Sequence, residues 1–134
     1  MRASPVLDSF ALLSFLRDEP GAERVAALLE KAEERRHPLQ MTVVNYAEVQ
    51  YIIRRKDGEA AWRIVADELA TMPIEFRPAD RPLADQAADF KTRFRLSLAD
   101  AFAAALAKSR KAELVTGDPE FKQVEDEIRI GWLK

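Results

Sequence analysis

Short apolar runs alternate with longer stretches of helical periodicity along the chain, and this alternation restricts the fold more than any single residue does. Pro5-Val6-Leu7, Leu39-Gln40-Met41, Ile74-Glu75-Phe76, Glu113-Leu114-Val115-Thr116 and Ile128-Arg129-Ile130 read as strands. Between them lie helical patterns. One opens at Asp8-Ser9 and stops at Asp18-Glu19-Pro20-Gly21, and the next runs from about Ala22 to Arg36 on a Val25, Leu28, Leu29 stripe. Thr42 caps a helix from about Val43 to Lys56, and another follows Asp57-Gly58 to about Thr71. Two more run from about Arg81 to Phe94 and from Ser97 to about Arg110, and Gly117-Asp118-Pro119 turns into a short last one. Strand–helix alternation of this kind predicts an α/β sandwich with a mainly parallel sheet. With no linker, repeat or low-complexity segment, residues 1–134 are expected to form a single domain.

The rare residues remove whole classes of chemistry. Cys is absent, which excludes disulfides, thiolate metal sites and cysteine nucleophiles and favours a cytoplasmic setting. His37 is the one histidine, so a site built on several imidazoles is impossible. The four glycines are scattered, and neither G-x-G-x-x-G nor a P-loop can be written. The start of the chain does not read as a signal peptide, and no apolar run is long enough to span a membrane. Carboxylates are abundant: 23 Asp and Glu face 21 Lys and Arg, for a net charge of −2. That balance gives no global attraction to nucleic acid, so such a role needs a local patch or bound cations.

Four acids keep unusual company. Asp8 follows Val6-Leu7 at the carboxyl end of the first strand, and Asp118 follows Leu114-Val115-Thr116-Gly117 at the end of another. Asp100 lies in Leu98-Ala99-Asp100-Ala101-Phe102-Ala103-Ala104-Ala105-Leu106, the most apolar stretch of the chain. Glu48 has Val44, Tyr51 and Ile52 as helical neighbours. Taken singly, Asp8 and Asp118 read as N-caps, and Ser97-Leu98-Ala99-Asp100 reads as a capping box with Asp in place of Glu. Glu48 lies past the first turn and has no such explanation. Taken together, the acids would meet at the carboxyl edge of a parallel sheet, where ligands bind. Unit charges about 4 Å apart repel by roughly 4 kcal/mol at an effective dielectric of about 20. The natural neutralising partner for an oxygen-only cluster is a hard divalent cation such as Mg²⁺ or Mn²⁺.

Val6-Leu7-Asp8-Ser9, Asn45-Tyr46-Ala47-Glu48-Val49, Leu96-Ser97-Leu98-Ala99-Asp100-Ala101 and Val115-Thr116-Gly117-Asp118-Pro119-Glu120-Phe121 match, in order, the motifs of a known family. The chain resembles the PIN-domain nucleases, and among them the VapC-like toxins of type II toxin–antitoxin pairs. The resemblance implies a three-layer α/β/α sandwich and a Mg²⁺- or Mn²⁺-dependent endoribonuclease. Asp8, Glu48, Asp100 and Asp118 would bind the metal, directly or through water, and metal-activated water would cleave RNA to leave a 5′-phosphate and a 3′-hydroxyl. It further implies a homodimer and a cognate antitoxin whose tail occupies the active-site groove. Ser9, Asn45 and Thr116 fall where relatives place polar residues that support the metal ligands or touch substrate.

One position departs from the pattern. Where the family commonly has a small polar residue, this chain has Phe10, so a hydroxyl near the metal is missing or Phe10 packs into the core. Phe10 also spoils the D-x-D that a phosphatase using Asp8 would want, and no receiver-like acid and Lys arrangement is evident. A PIN nuclease of RNA maturation or decay and a silent RNA- or protein-binding module are the remaining alternatives; retention of all four acids argues against the second. Arg54-Arg55-Lys56 closes a helix, where cations suit the dipole. With Arg93 and Arg95 that run could also hold RNA phosphates. Trp62 is expected in the core, and Trp132 in the core or at a dimer interface.

Overall fold

The computed structural model describes residues 3–133. Strands β1 (Val6–Leu7), β2 (Leu39–Thr42), β3 (Ile74–Arg77), β4 (Leu114–Thr116) and β5 (Ile130–Trp132) alternate with helices α1 (Ser9–Leu16), α2 (Ala22–Arg35), α3 (Val43–Asp57), α4 (Glu59–Leu69), α5 (Arg81–Arg93) and α6 (Leu98–Arg110), and a 3₁₀ turn covers Pro119–Val124. The strands form one sheet in the order β3-β2-β1-β4-β5, and every pairing is parallel. Among the described residues no helix is long and apolar enough to cross a membrane.

Side chains on the two faces of a strand alternate, and the core divides accordingly. Val6 and its register partner Leu114 point to one face, where they join Leu83, Phe90, the alanines of α6 and Phe121. Leu7 and Val115 point to the other, with Leu12, Val25, Leu29, Val49 and Ile53. Helices α5 and α6 cover the first face and α1–α4 the second, giving the α/β/α layering expected from the motifs. A sheet covered on both faces favours unbroken apolar strands over alternating ones, and Val6, Leu7, Leu114 and Val115 are all fully buried. The small Ala101, Ala103, Ala104, Ala105 and Ala107 let α6 lie close to both the sheet and α5.

Most element ends fall within a residue or two of their sequence signals. Asp8, Thr42, Asp80, Ser97 and Asp118 each cap a helix or turn with a side-chain oxygen. The last strand does not follow its signal: pairing runs over Ile130–Trp132, not Ile128–Ile130. The Glu127 and Ile128 N–H groups both donate to the Val124 carbonyl, at 2.9 and 3.0 Å, so the chain is still turning there. Ile128 plugs the core instead of joining the ladder. Trp62 is half-buried, edge-on to Tyr46 at 5.9 Å, at the margin of the second core. Trp132 packs at the margin of the first and donates its Nε1–H to Glu125 at 2.8 Å.

Candidate active site

In the sheet order, β1 is flanked by β2 on one side and by β4 on the other, and the connection leaving β1 goes to β2. Such a reversal leaves a crevice at the carboxyl edge between the two central strands. β1 ends there in Asp8 and β4 in Thr116-Gly117-Asp118, so the two acids meet although they are remote in sequence. Helices α3 and α6 begin at the same edge and bring Glu48 and Asp100.

A continuous run of hydrogen bonds joins the strand ends. Asp8 Oδ1 accepts the Ala11 N–H at 2.8 Å, and Asp8 Oδ2 accepts the Thr116 hydroxyl. Thr116 Oγ1 accepts the Asp118 N–H at 3.0 Å, and Asp118 Oδ1 accepts the Glu120 N–H at 2.9 Å. Asp100 donates its own N–H to Ser97 Oγ at 3.1 Å, so the cap fixes its backbone and leaves the carboxylate to face the cluster. Carboxylate oxygens of Asp100, Asp118 and Glu120 all lie within 4.8 Å of one another, close enough to share a cation.

The electrostatics follow from this geometry. Burial pushes the Asp8 carboxyl up to about 8; the Thr116 and Ala11 hydrogen bonds oppose it, and the Asp100 and Asp118 charges add to it. Burial, then the Asp118 charge, pushes Asp100 up to about 7; the Ser97 hydroxyl opposes this, and Glu48 and Glu120 add smaller increments. Asp8 and Asp100 both stand at helix N-termini, where the dipole favours ionisation by about 0.3–1 kcal/mol. Burial and mutual repulsion outweigh that term at both. Without a cation the cluster therefore holds protons at neutral pH.

Ser9, Asn45 and Thr42 build a buried scaffold under the acids. Asn45 Nδ2 donates to Ser9 Oγ at 3.1 Å and to the Ala99 carbonyl at 3.2 Å, tying α1, α3 and the residue before Asp100 together. The Thr42 hydroxyl donates to Asn45 Oδ1, and Ser9 Oγ donates to the Asn45 carbonyl at 3.3 Å. Asn45 is fully buried, and among the described residues no buried side-chain polar atom lacks a partner. Asn45→Ala leaves the Thr42 hydroxyl without its acceptor and removes the amide that donates to Ser9 Oγ and the Ala99 carbonyl. We expect it to cost about 2–3 kcal/mol of stability, read as a lowered denaturation midpoint at unchanged slope; an unaltered midpoint would remove the scaffold role.

The sequence-derived residues are thus distributed as follows. Asp8, Asp100 and Asp118 share one crevice. Glu48 is half-buried on α3 and near enough to raise Asp100, but it is not part of the tight three-carboxylate group. Ser9 and Asn45 support from below, and Thr116 bridges Asp8 to the Asp118 backbone. Glu120 is the acid that sequence reasoning passed over; its signal is its place in the first turn after the Asp118 cap. Phe10 does not pack into the core: it is 43% exposed and lies over Gly117. The proposed cationic patch is largely committed elsewhere. Arg93 is held by Glu127 at 2.6 and 3.0 Å and by Asp89, Arg54 by Glu59 at 2.8 Å, and Arg55 lies over the Tyr51 ring at 5.5 Å. Arg95 is exposed in the loop before α6.

At the switch point of a parallel three-layer α/β/α sandwich lies an acidic cluster that could hold a cation. The PIN domain profile matches residues 6–127. The chain belongs to the PIN domain family. No curated protein matches it in sequence. In three dimensions it is similar to VapBC2 from Rickettsia felis bound to a DNA fragment from their promoter (TM-score 0.78, 17% identity, covering 97% of this chain and 98% of that one). It is also similar to DNA-bound VapBC from Salmonella typhimurium (TM-score 0.76, 17% identity, 96% and 97%). A third likeness is to Mycobacterium tuberculosis VapC20, described as a sarcin–ricin loop cleaving toxin (TM-score 0.71, 14% identity, 90% and 95%).

Proposed function

We propose that the chain is a Mg²⁺- or Mn²⁺-dependent endoribonuclease and the toxin of a type II toxin–antitoxin pair. The observation that carries this reading is the convergence of Asp8, Asp100, Asp118 and Glu120 on one crevice, where burial and mutual repulsion disfavour the ionised forms of Asp8 and Asp100. The donor set suits the ion: carboxylate oxygens alone, with neither His nor Cys near, favour a hard divalent cation. When bound, such an ion lowers the pKa of a water and offsets charge on the phosphate. Asp100 and Asp118 would hold it, with Glu120 beside them. Thr116 fixes the Asp8 carboxylate beside them. Glu48, reaching in from α3, would act through water.

The substrate, RNA cut to a 5′-phosphate and a 3′-hydroxyl, is inferred from family membership and from the described action of VapC20. The antitoxin partner is inferred from the VapBC neighbours. A homodimer, a single domain over residues 1–134 and a cytoplasmic location belong to the same reading. The test is incubation of the purified protein with total tRNA and rRNA, with Mg²⁺ or Mn²⁺ and with EDTA. Discrete 5′-phosphorylated fragments that vanish with EDTA are expected. A folded protein that leaves every RNA intact and binds no cation by calorimetry would overturn the enzyme in favour of a silent binding module.

A further inference from the structure

We propose that Phe10 is the substrate-positioning residue of this site: its ring, laid across Gly117 at the rim of the carboxylate cluster, stacks on an unpaired nucleobase next to the phosphate being cut. The inference rests on the nuclease reading above and deepens it by assigning a base-binding position.

The neighbours of Phe10 are buried almost completely: Asp8 is 1% exposed, Ser9 5%, Ala11 0% and Leu12 0%, against 43% for Phe10. Phe10 belongs to neither core cluster. The ring is only partly covered by its own fold and keeps exposed surface beside the charged crevice. Its position is nevertheless specified. A Cβ placed on residue 117 would lie 2.3 Å from Phe10 Cε1 and 2.8 Å from Cζ, so the ring occupies the space of a side chain at that position. The positive-φ glycines are Gly21 and Gly58, and Gly117 is not among them. Residue 117 is therefore free of side chain because the ring lies there, not because the backbone demands it. Thr116 on one side of it bonds Asp8, and Asp118 on the other belongs to the three-carboxylate group. The ring thus lies between the threonine that holds Asp8 and the acid Asp118.

The charge balance supplies the reason for such a platform. The chain carries −2 overall and concentrates carboxylates where the phosphate must come. Arg93, Arg54 and Arg55 are engaged by other groups. Those three therefore contribute little to phosphate neutralisation. Stacking on an aromatic ring needs no charge, tolerates any base, and requires the base to be unpaired. Its removal weakens single-strand binding by about five- to a hundredfold per stacked base.

The experiment measures binding of short single-stranded RNAs carrying 2-aminopurine at successive positions, with Ca²⁺ in place of Mg²⁺, to wild type, Phe10→Ala, Phe10→Tyr and Gly117→Ala. Phe10→Ala is expected to weaken binding by about fivefold or more, to leave the salt dependence unchanged, and to abolish the fluorescence quench at one position. Phe10→Tyr should retain both, and Gly117→Ala, which displaces the ring, should behave like Phe10→Ala. Thermal midpoints establish that each variant is folded. Wild-type binding with an identical quench in Phe10→Ala would overturn the stacking role and leave the nuclease intact. So would a Phe10→Ala defect confined to binding of a partner protein. Failure of the wild type to bind or cleave any RNA would overturn the nuclease reading and this inference together.

Discussion

Asp100→Asn is expected to abolish divalent-dependent RNA cleavage and, in the same molecule, to raise the thermal midpoint of the metal-free protein. Asn has the shape of Asp, and the Ser97 cap engages the backbone N–H of residue 100, so the start of α6 is preserved. What is lost is one charge at the point where the Asp118 and Glu120 carboxylates approach within 4.8 Å. Metal-supported charge stabilisation is worth several kcal/mol, and removing about 4 kcal/mol of it slows cleavage about a thousandfold. The stability change has the opposite sign. At the site burial and the Asp118 charge disfavour the ionised form of Asp100, and a neutral amide escapes both penalties. A merely structural residue would lose stability and activity together. Cleavage by Asp100→Asn at the wild-type rate would remove Asp100 from the reacting centre.

The second large effect is a loss of stability with rising pH that a divalent metal suppresses. Asp8 rises from 3.8 to about 8 and Asp100 from 3.8 to about 7. In that window the folded protein holds protons that the unfolded chain releases, so stability must fall as pH rises. The contribution is fully present below the unfolded value and is lost through the folded values. Each proton so held gives a slope of about 1.4 kcal/mol per pH unit. With nearly two protons held over most of that range, the combined slope is expected at about 2–3 kcal/mol per unit between about pH 5 and 7. Mg²⁺ or Mn²⁺ binds the ionised form, adds about 2.7 kcal/mol at a hundred times Kd, and flattens the profile. The gain is therefore largest at alkaline pH. Urea unfolding across this range with EDTA and with Mn²⁺ measures both arms. A metal-free stability that climbs from about pH 5 to 8 would show that these carboxylates are not protonated in the folded state.

The reading of acids as caps and the reading of acids as a site turn out to describe one arrangement. Asp8 caps α1 with Oδ1 and meets Thr116 with Oδ2, and Asp118 caps the 3₁₀ turn while its carboxylate stays within the cluster. A carboxylate has two oxygens, so the choice posed by local sequence was not exclusive. Glu120 escaped notice because an acid in a first helical turn is an ordinary dipole-complementing residue; only its distance to Asp100 distinguishes it. Phe10 stood out as a departure from the family pattern, but local sequence did not decide between a core and a surface position. Its spacing fits the apolar pattern of α1, which is compatible with burial, but the helix begins at the sheet edge, and the second residue of that helix projects past the core.

Sequence by itself determined the order of elements, the parallel class of the sheet, the caps and three of the acids that meet in the crevice, Asp8, Asp100 and Asp118. Each of these is local: periodicity reports which face is buried, and a cap engages a backbone group within three residues. Strand order was decided by tertiary structure alone. Asp8 and Thr116 are 108 residues apart and bond only because β4 pairs with β1. Parallel strands pair through backbone groups that every residue carries, so no local pattern names the neighbour. The position of β5, the partner of Arg93 and the placing of Phe10 over Gly117 follow from that pairing in the same way.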